Sequence, residues 1–496
     1  MKKKLGFWRI DLRQLGSVYR LFLLSVVALS QTACNNNDKK VDMLKIYTPF
    51  KFSLEMNPRK IVTIGDQILS EHIFASHTVR NPKLGMTDVL SEVNIDRVNN
   101  KIKLKIKDNI YFSDGSILSI SDLCISIEKS FESTSHSQLK SLFKELKVDG
   151  NLIEISMVKV PNNMEALLAI PDFFIYSDKF LPVSSKLSNP TTGAYQLKEL
   201  GADKISLEIN KYYPQHLRAN TIENVEILRT SKDNLTEFLN NHDHSSRFLA
   251  YFGGYHINSD DISFLDKSNL IYSVFPNEWV YVIGFNNTKM PLKDRKTLSS
   301  LVFSNKDEIL KDSPLSQRAF SVSPNDKPFG LRSDVLKVEK NISKLRLSNT
   351  FSIGIRKRDI EQNIVKNLVS VLSGIENLKI VFYDNVDDIY SKSDLYLGIQ
   401  GISAGDPVHH LNFFLKYDPL FKEILTIEEL NTVSLIESNE DFNFQVQKLE
   451  KKVYDNTSII PIAHFPGIVI HSKDLKEDTS LVGDWGIRAW TYQLLE

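Results

Sequence analysis

Lys101-Ile102-Lys103-Leu104-Lys105-Ile106-Lys107-Asp108-Asn109-Ile110-Tyr111-Phe112-Ser113-Asp114-Gly115 is the stretch from which the fold is read. Ile102, Leu104 and Ile106 alternate with lysines at period two, the pattern of a strand with one buried face. Asp108-Asn109 and Asp114-Gly115 supply turn chemistry on either side of Ile110-Tyr111-Phe112. Past Gly115 the period changes. Ser121 and Asp122 are capping residues, and Leu123, Ile127 and Phe131 recur at helical spacing, so a helix begins between Ser119 and Asp122. Cys124, inside it, reads as a small buried apolar residue. From Leu44 onward short strand and helix patterns follow in mixed order with no internal repeat, which predicts an α/β architecture.

The chain has 496 residues, 42% of them hydrophobic and 25% charged, which is too long for one core and points to two or three domains. Basic and acidic residues number 61 each, so no excess positive charge exists to neutralise a nucleic-acid backbone, and nucleic acid is not an expected partner. The first thirty-three residues hold six of the basic residues and one acidic residue, leaving 55 basic against 60 acidic in the remainder. The two cysteines, Cys34 and Cys124, stand in surroundings too different to imply an internal disulfide.

Residues 1–33 read as an export signal: a basic stretch ending at Arg20, the apolar run Leu21–Leu29, then small or polar residues up to Ala33. The run is about nine residues, well under the roughly twenty a permanent membrane helix needs. Ala33-Cys34 resembles the lipobox of bacterial lipoproteins, which implies a lipid on Cys34; Gln31 stands where that pattern usually has an apolar residue. Residues 34–43, with Asn35-Asn36-Asn37-Asp38-Lys39-Lys40, suit a solvated tether. The protein is therefore expected in the cell envelope, lipid-anchored and extracytoplasmic, on the periplasmic face of a membrane or at the cell surface of a Gram-positive cell. Asn35 is not the aspartate that resembles an inner-membrane retention signal, so an outer-membrane address stays open.

The stretch Lys101–Gly115, continued by Ser119–Glu128, resembles the signature of the family-5 extracellular solute-binding proteins. Four further blocks are similar and in the same order: Glu55-Met56-Asn57-Pro58, with asparagine for the usual aspartate; Asn189–Tyr195; Ile283–Asn287 with Pro291–Asp294; and Ile459–Ile462. The resemblance implies a three-lobed, periplasmic-binding-protein-like fold of type II, the large peptide-binding class, with a hinge between two ligand-closing lobes. Mapped here, lobe I is 44–60, 186–277 and 458–496, the inserted lobe II is 61–185, and lobe III is 278–457. The crossings between lobes I and III then fall near Asn277 and Thr457.

The same resemblance places ligand-binding residues at the facing edges of lobes I and III: Phe52, Ser53 and Leu54; the loop Tyr251–Tyr255 with Phe252, Gly253 and Gly254; Trp279 and Tyr281; and the loop Gly401–His410 with Ser403 and Asp406. Glycines let a backbone approach a ligand, and aromatic rings supply contact area with few rotors. Trp279 and Tyr281, two apart on a strand, share one face, which is either the cleft or a lobe's core. Gly401–Pro407 resembles the loop from which peptide binders present an aspartate to a ligand ammonium group, but Ser403 occupies the matching position. Either Asp406 takes that role or the ligand is not held by a free amino terminus, and Asp406 also reads simply as a turn residue before proline.

No Gly-x-Ser-x-Gly elbow, P-loop or dinucleotide fingerprint occurs, so no enzyme activity and no cofactor are expected. His409-His410 and the polar loop Asn240–His244 lack the spacing of a metal site. The charged runs Arg356–Glu361 and Lys448–Lys452 read as loops and solvated helix faces. The expected function is a monomeric receptor that captures a peptide or other small solute and delivers it to an ABC permease. The alternative is a binding lipoprotein outside transport, acting as sensor, adhesin or chaperone-like module, which the departures at Asn57, Ser403 and Gln31 motivate.

Overall fold

The period-two stretch forms a strand. In the computed structural model, Lys101–Ile106 lies between two antiparallel neighbours with Ile102 and Leu104 fully buried, while its lysines point to water and meet Glu154 and Glu92 across the strands. Asp114 Oδ1 accepts the Ser116 N–H at 2.9 Å, and Gly115 takes φ +86°, where a Cβ would also strike the Tyr212 ring. Ser119 and Asp122 then exchange side-chain to backbone hydrogen bonds of 3.2 and 3.0 Å at the start of the helix Ile120–Glu132. Leu123, Ile127 and Phe131 form its buried stripe, each contributing about 2 kcal/mol by leaving water.

The structure describes residues 43–52, 64–81, 85–132, 137–162, 164–169, 171–177, 190–214, 222–230, 238–240, 247–268, 270–323, 346–401, 407–436, 439–477 and 492–494. Residues 44–496 form one compact unit. Its strands are β1 Met43–Thr48, β2 Thr78–Asn81, β3 Gly85–Asp88, β4 Ser91–Asp96, β5 Lys101–Ile106, β6 Phe143–Asp149, β7 Leu152–Met157, β8 Tyr195–Leu200, β9 Lys204–Ile209, β10 Asn224–Arg229, β11 Phe248–Gly253, β12 Ile271–Phe285, β13 Gln317–Arg318, β14 Arg346–Arg356, β15 Glu376–Tyr383, β16 Leu395–Gly401, β17 Ile459–His471, β18 Leu475–Glu477 and β19 Tyr492–Leu494.

Strands β4-β5-β7-β6 make a separate four-stranded antiparallel sheet. The large sheet runs β15-β14-β16-β12-β17-β11-β1-β10-β9-β8, with β13 also on β17. Its two long strands, β12 and β17, belong to both halves: Ile271–Phe275 pair with Gly467–His471, and Trp279–Gly284 pair with Ile459–Phe465. The register shifts between Phe275 and Trp279, where Pro276 on one strand and Pro466 on the other have no N–H to give the ladder. The expected crossing at Asn277 falls in this break. Thr457, the expected second crossing, stands just before β17 with φ 45°, and the break on β17 itself lies at Pro466.

The half-sheet β14, β15 and β16 is parallel, which requires helical crossovers, and the helices Asn363–Leu372 and Val386–Lys392 supply them. Asp418, fully buried, caps the helix Pro419–Ile424 through the Phe421 N–H at 2.9 Å and also accepts from the Phe285 N–H at 3.2 Å and the Tyr396 hydroxyl at 3.1 Å. One carboxylate thus ties the ends of β12 and β16 to the helical layer. Burial pushes it up to about 6 against those hydrogen bonds.

Candidate ligand site

Strands β14 and β16 run parallel and end at Arg356 and Gly401, while β12 runs the opposite way and brings Trp279 into register with Gly401. These carboxyl ends therefore meet Trp279 at one edge of the half-sheet, the place where open parallel sheets bind ligands. A Cβ on Gly401 would lie 3.4 Å from the Trp279 ring, so the glycine backbone passes directly beside the indole.

Trp279 and Tyr281 share a face, as period two requires. There they meet rings from three other segments. Phe50 stacks on Trp279 with centroids 5.8 Å apart and approaches Tyr251 at 6.0 Å. Tyr255 stands edge-on to Trp279, Tyr281 and Phe465 at 6.0, 5.7 and 6.0 Å, and Phe465 touches Tyr281 at 5.7 Å. Edge-to-face contacts of this kind are worth about 1 kcal/mol each beyond buried area. Trp279 is 5% exposed, and its indole Nε1 is buried with no partner among the described residues.

A polar wall adjoins the rings. The Tyr281 hydroxyl donates to Gln362 Oε1, and burial with the Asp359 charge nearby pushes that phenol well above its ordinary value. Arg356 Nε holds Asp359 at 2.7 Å, and Arg358 lies 3.7 Å from the same carboxylate. The His256 ring packs on Tyr255 at 4.2 Å, and its Nδ1 has no partner among the described residues. Burial, then the charges of Arg358 and Arg356, hold it neutral, with a pKa lowered to about 3.

The sequence-predicted residues divide accordingly. Trp279 and Tyr281 are in the aromatic group. Gly253 and Gly254 border it: a Cβ on the first would strike the Tyr255 ring at 2.2 Å, and on the second Pro466 at 2.9 Å. Phe252 turns to the opposite face of β11 and packs on Phe238 at 5.7 Å in a separate core cluster. Phe52 is buried beside Gly65. Ser53, Leu54, Ser403, Asp406 and Cys34 lie outside the described residues. The run Arg356–Glu361, read as solvated, needs correcting in its first part. Asp359 is 6% exposed and Arg356 is largely covered, because the two charges neutralise each other. Phe50 and Phe465 were missed; the only local signal for Phe50 was an aromatic residue two positions before Phe52.

Residues 88–297 match the family described as bacterial extracellular solute-binding proteins, family 5, middle. No curated protein is similar in sequence. Among solved structures, the chain resembles NikA from Staphylococcus aureus in complex with Ni(L-His)2, at 17% identity and TM-score 0.72, covering 91% of this chain and 99% of that one. A dipeptide binding protein from Pseudoalteromonas, in complex with Met-Leu, is 14% identical with TM-score 0.74 and coverage of 91% and 100%. The Escherichia coli murein tripeptide binding protein MppA is 14% identical with TM-score 0.72 and coverage of 92% and 98%. The fold is that of the large type II periplasmic binding proteins. The family match covers residues 88–297, and the likeness of fold covers 91% of the chain or more. Among the described residues no helix is long and apolar enough to cross a membrane.

Proposed function

We propose that the protein is an extracytoplasmic receptor, anchored by a lipid on Cys34, that captures a peptide or related small solute and hands it to an ABC permease. It acts as a monomer and a binder, without catalysing a reaction on what it holds. Lobe I (44–60, 186–277, 458–496) and lobe III (278–457) close on the solute, and lobe II is 61–185. The observation that carries the reading is the buried Trp279 Nε1, without a partner among the described residues, amid aromatic rings at the carboxyl ends of β14 and β16. An indole N–H shut away from water costs stability unless an acceptor meets it, and a bound solute supplies that acceptor. His256 Nδ1, likewise without a partner among the described residues, supports the same reading. Closure is a hinge movement stabilised by ligand contacts, and the register break at Pro276 and Pro466 suits the hinge.

Thermal-shift and tryptophan-fluorescence screens over peptide pools test the reading, with mass spectrometry of retained ligand to name the solute. No response to any peptide or metal–amino-acid complex sinks it. Intact solute recovered after long incubation is the result expected of a binder; turnover would overturn that part. With the best solute found, Trp279→Phe keeps an aromatic ring, a smaller one, and removes the N–H. It is expected to weaken binding about tenfold, the worth of one hydrogen bond, by titration calorimetry. Its urea midpoint, measured without solute, reports separately what the smaller ring costs in packing.

A further inference from the structure

The turn between β7 and the short helix Met164–Leu167 is gripped from its own sheet. Arg97, in the β4–β5 hairpin, donates from Nη1 to the Pro161 carbonyl at 2.8 Å. Its Nη2 donates to the Asn162 carbonyl at 3.1 Å and to both Glu165 carboxylate oxygens at 2.8 and 2.6 Å. Asn100, with φ 54° in the same hairpin, accepts the Val160 N–H on its side chain at 3.2 Å and the Met157 N–H on its carbonyl at 3.0 Å. The Arg97–Glu165 pair is about a third exposed, so its charge attraction alone is worth little. What the fork of guanidinium donors does is hold Pro161, Asn162 and Glu165 together.

The outward N–H of that turn is used. Asn162 N–H donates at 3.2 Å to the Ser434 carbonyl, the last residue of the helix Ile427–Ser434. A helix leaves its final carbonyls without intrahelical partners. Those of Thr432 and Val433 accept from Leu435 and Ile436, and that of Ser434 accepts from Asn162. The helix is itself rigidly placed, by the reciprocal Thr426 and Glu429 cap and by Glu429 to Lys452 at 2.6 Å on the helix Asn439–Asp455, which leads into β17.

We propose that the Asn162–Ser434 contact is a clasp: it joins lobe II to lobe III independently of β12 and β17, so that opening the ligand cleft must break it. This rests on the lobe assignment given above. The clasp biases the protein toward closure before any solute arrives and slows release afterwards.

The test is the distance between spin labels on Asp149→Cys and Lys448→Cys, both exposed positions, in a background carrying Cys34→Ser and Cys124→Ser and without added solute. Arg97→Ala, which frees the turn, and Asn162→Pro, which deletes the bridging donor, are each expected to move part of the distribution to longer distances, whereas Asn162→Ala, which loses the side chain and keeps the backbone N–H, is expected to leave it in place. Should Arg97→Ala disturb the hairpin, seen as a lowered urea midpoint, Asn162→Pro decides. A distribution unchanged in Asn162→Pro overturns the proposal. The solute screen is read separately, so a silent screen with responsive distances removes the receptor reading and leaves the clasp standing.

Discussion

Replacing Glu450 by glutamine is expected to make the protein more stable than its parent at pH 8, with the advantage fading as the pH falls. Glu450 is 1% exposed on the helix Asn439–Asp455. One carboxylate oxygen accepts the Ser323 N–H at 3.1 Å and the Ser323 hydroxyl; the other has no partner among the described residues. Burial outweighs these bonds and raises the pKa from 4.5 to about 7. The sign follows from linkage. The folded state binds its proton more tightly than the unfolded state, so ionisation costs nothing below about pH 4.5, costs increasingly between, and costs in full above pH 7. At 1.36 kcal/mol per unit, that penalty is about 3 kcal/mol at pH 8.

Glutamine keeps an acceptor for Ser323 and removes the buried charge. The stability difference between Glu450→Gln and parent should therefore change by about 3 kcal/mol between pH 8 and pH 4 in urea titrations. The difference is the quantity to follow because other buried groups titrate in both proteins. Asp418, pushed up to about 6, acts in the same sense as Glu450. His77, His256 and His464, lowered by burial to about 4, 3 and 3, act oppositely: their contribution is full above pH 6.5 and is lost as the unfolded chain takes up protons below it. A difference that does not vary with pH would show that Glu450 is not carrying a buried charge.

Gly193→Ala is expected to cost about 3 kcal/mol, the upper end for forcing atoms into a packed core. The glycine N–H donates to the Ile73 carbonyl at 2.9 Å, and its own carbonyl accepts the Asn210 side-chain amide at 2.8 Å. A Cβ there would lie 2.4 Å from the Ile73 carbonyl carbon, 2.5 Å from His72 O and 2.6 Å from Phe74 N. All three are backbone atoms, so no rotamer change relieves the clash; the end of the helix Ile64–Ile73 must move. Gly374→Ala is the control, since its nearest neighbour would be 3.6 Å away and its cost is expected within about 0.5 kcal/mol. Equal urea midpoints for the two variants would refute the close approach at Gly193.

How much of this was legible beforehand depends on range. The alternation of Ile102 and Leu104, the left-handed Gly115 and the Ser119 to Asp122 cap are local, and local chemistry dictates them. Placing Trp279 and Tyr281 on one face was equally local. Phe252 shows the limit: beside Tyr251 on an edge-to-edge buried strand, it necessarily faces the other way, and two faces of one strand cannot both line one cleft. The charges from Arg356 to Glu361 misled because such runs are usually solvated, and only a partner's position reveals a buried pair.

By itself, then, the sequence determined the strand Lys101–Ile106, the turn at Gly115 and the helix Ile120–Glu132, because each depends on residues within one or two turns of chain. Only the tertiary structure decided what faces Trp279. Phe50, Tyr255, Arg356 and Phe465 come from four segments of the chain, and it takes the pairing of β1 with β11, β11 with β17, β17 with β12, and both β12 and β14 with β16 to gather them around Trp279 and Tyr281. The same holds for the bond from Asn162 to Ser434, since neither residue carries a mark of its partner 272 positions away until two separate sheets have set both in place.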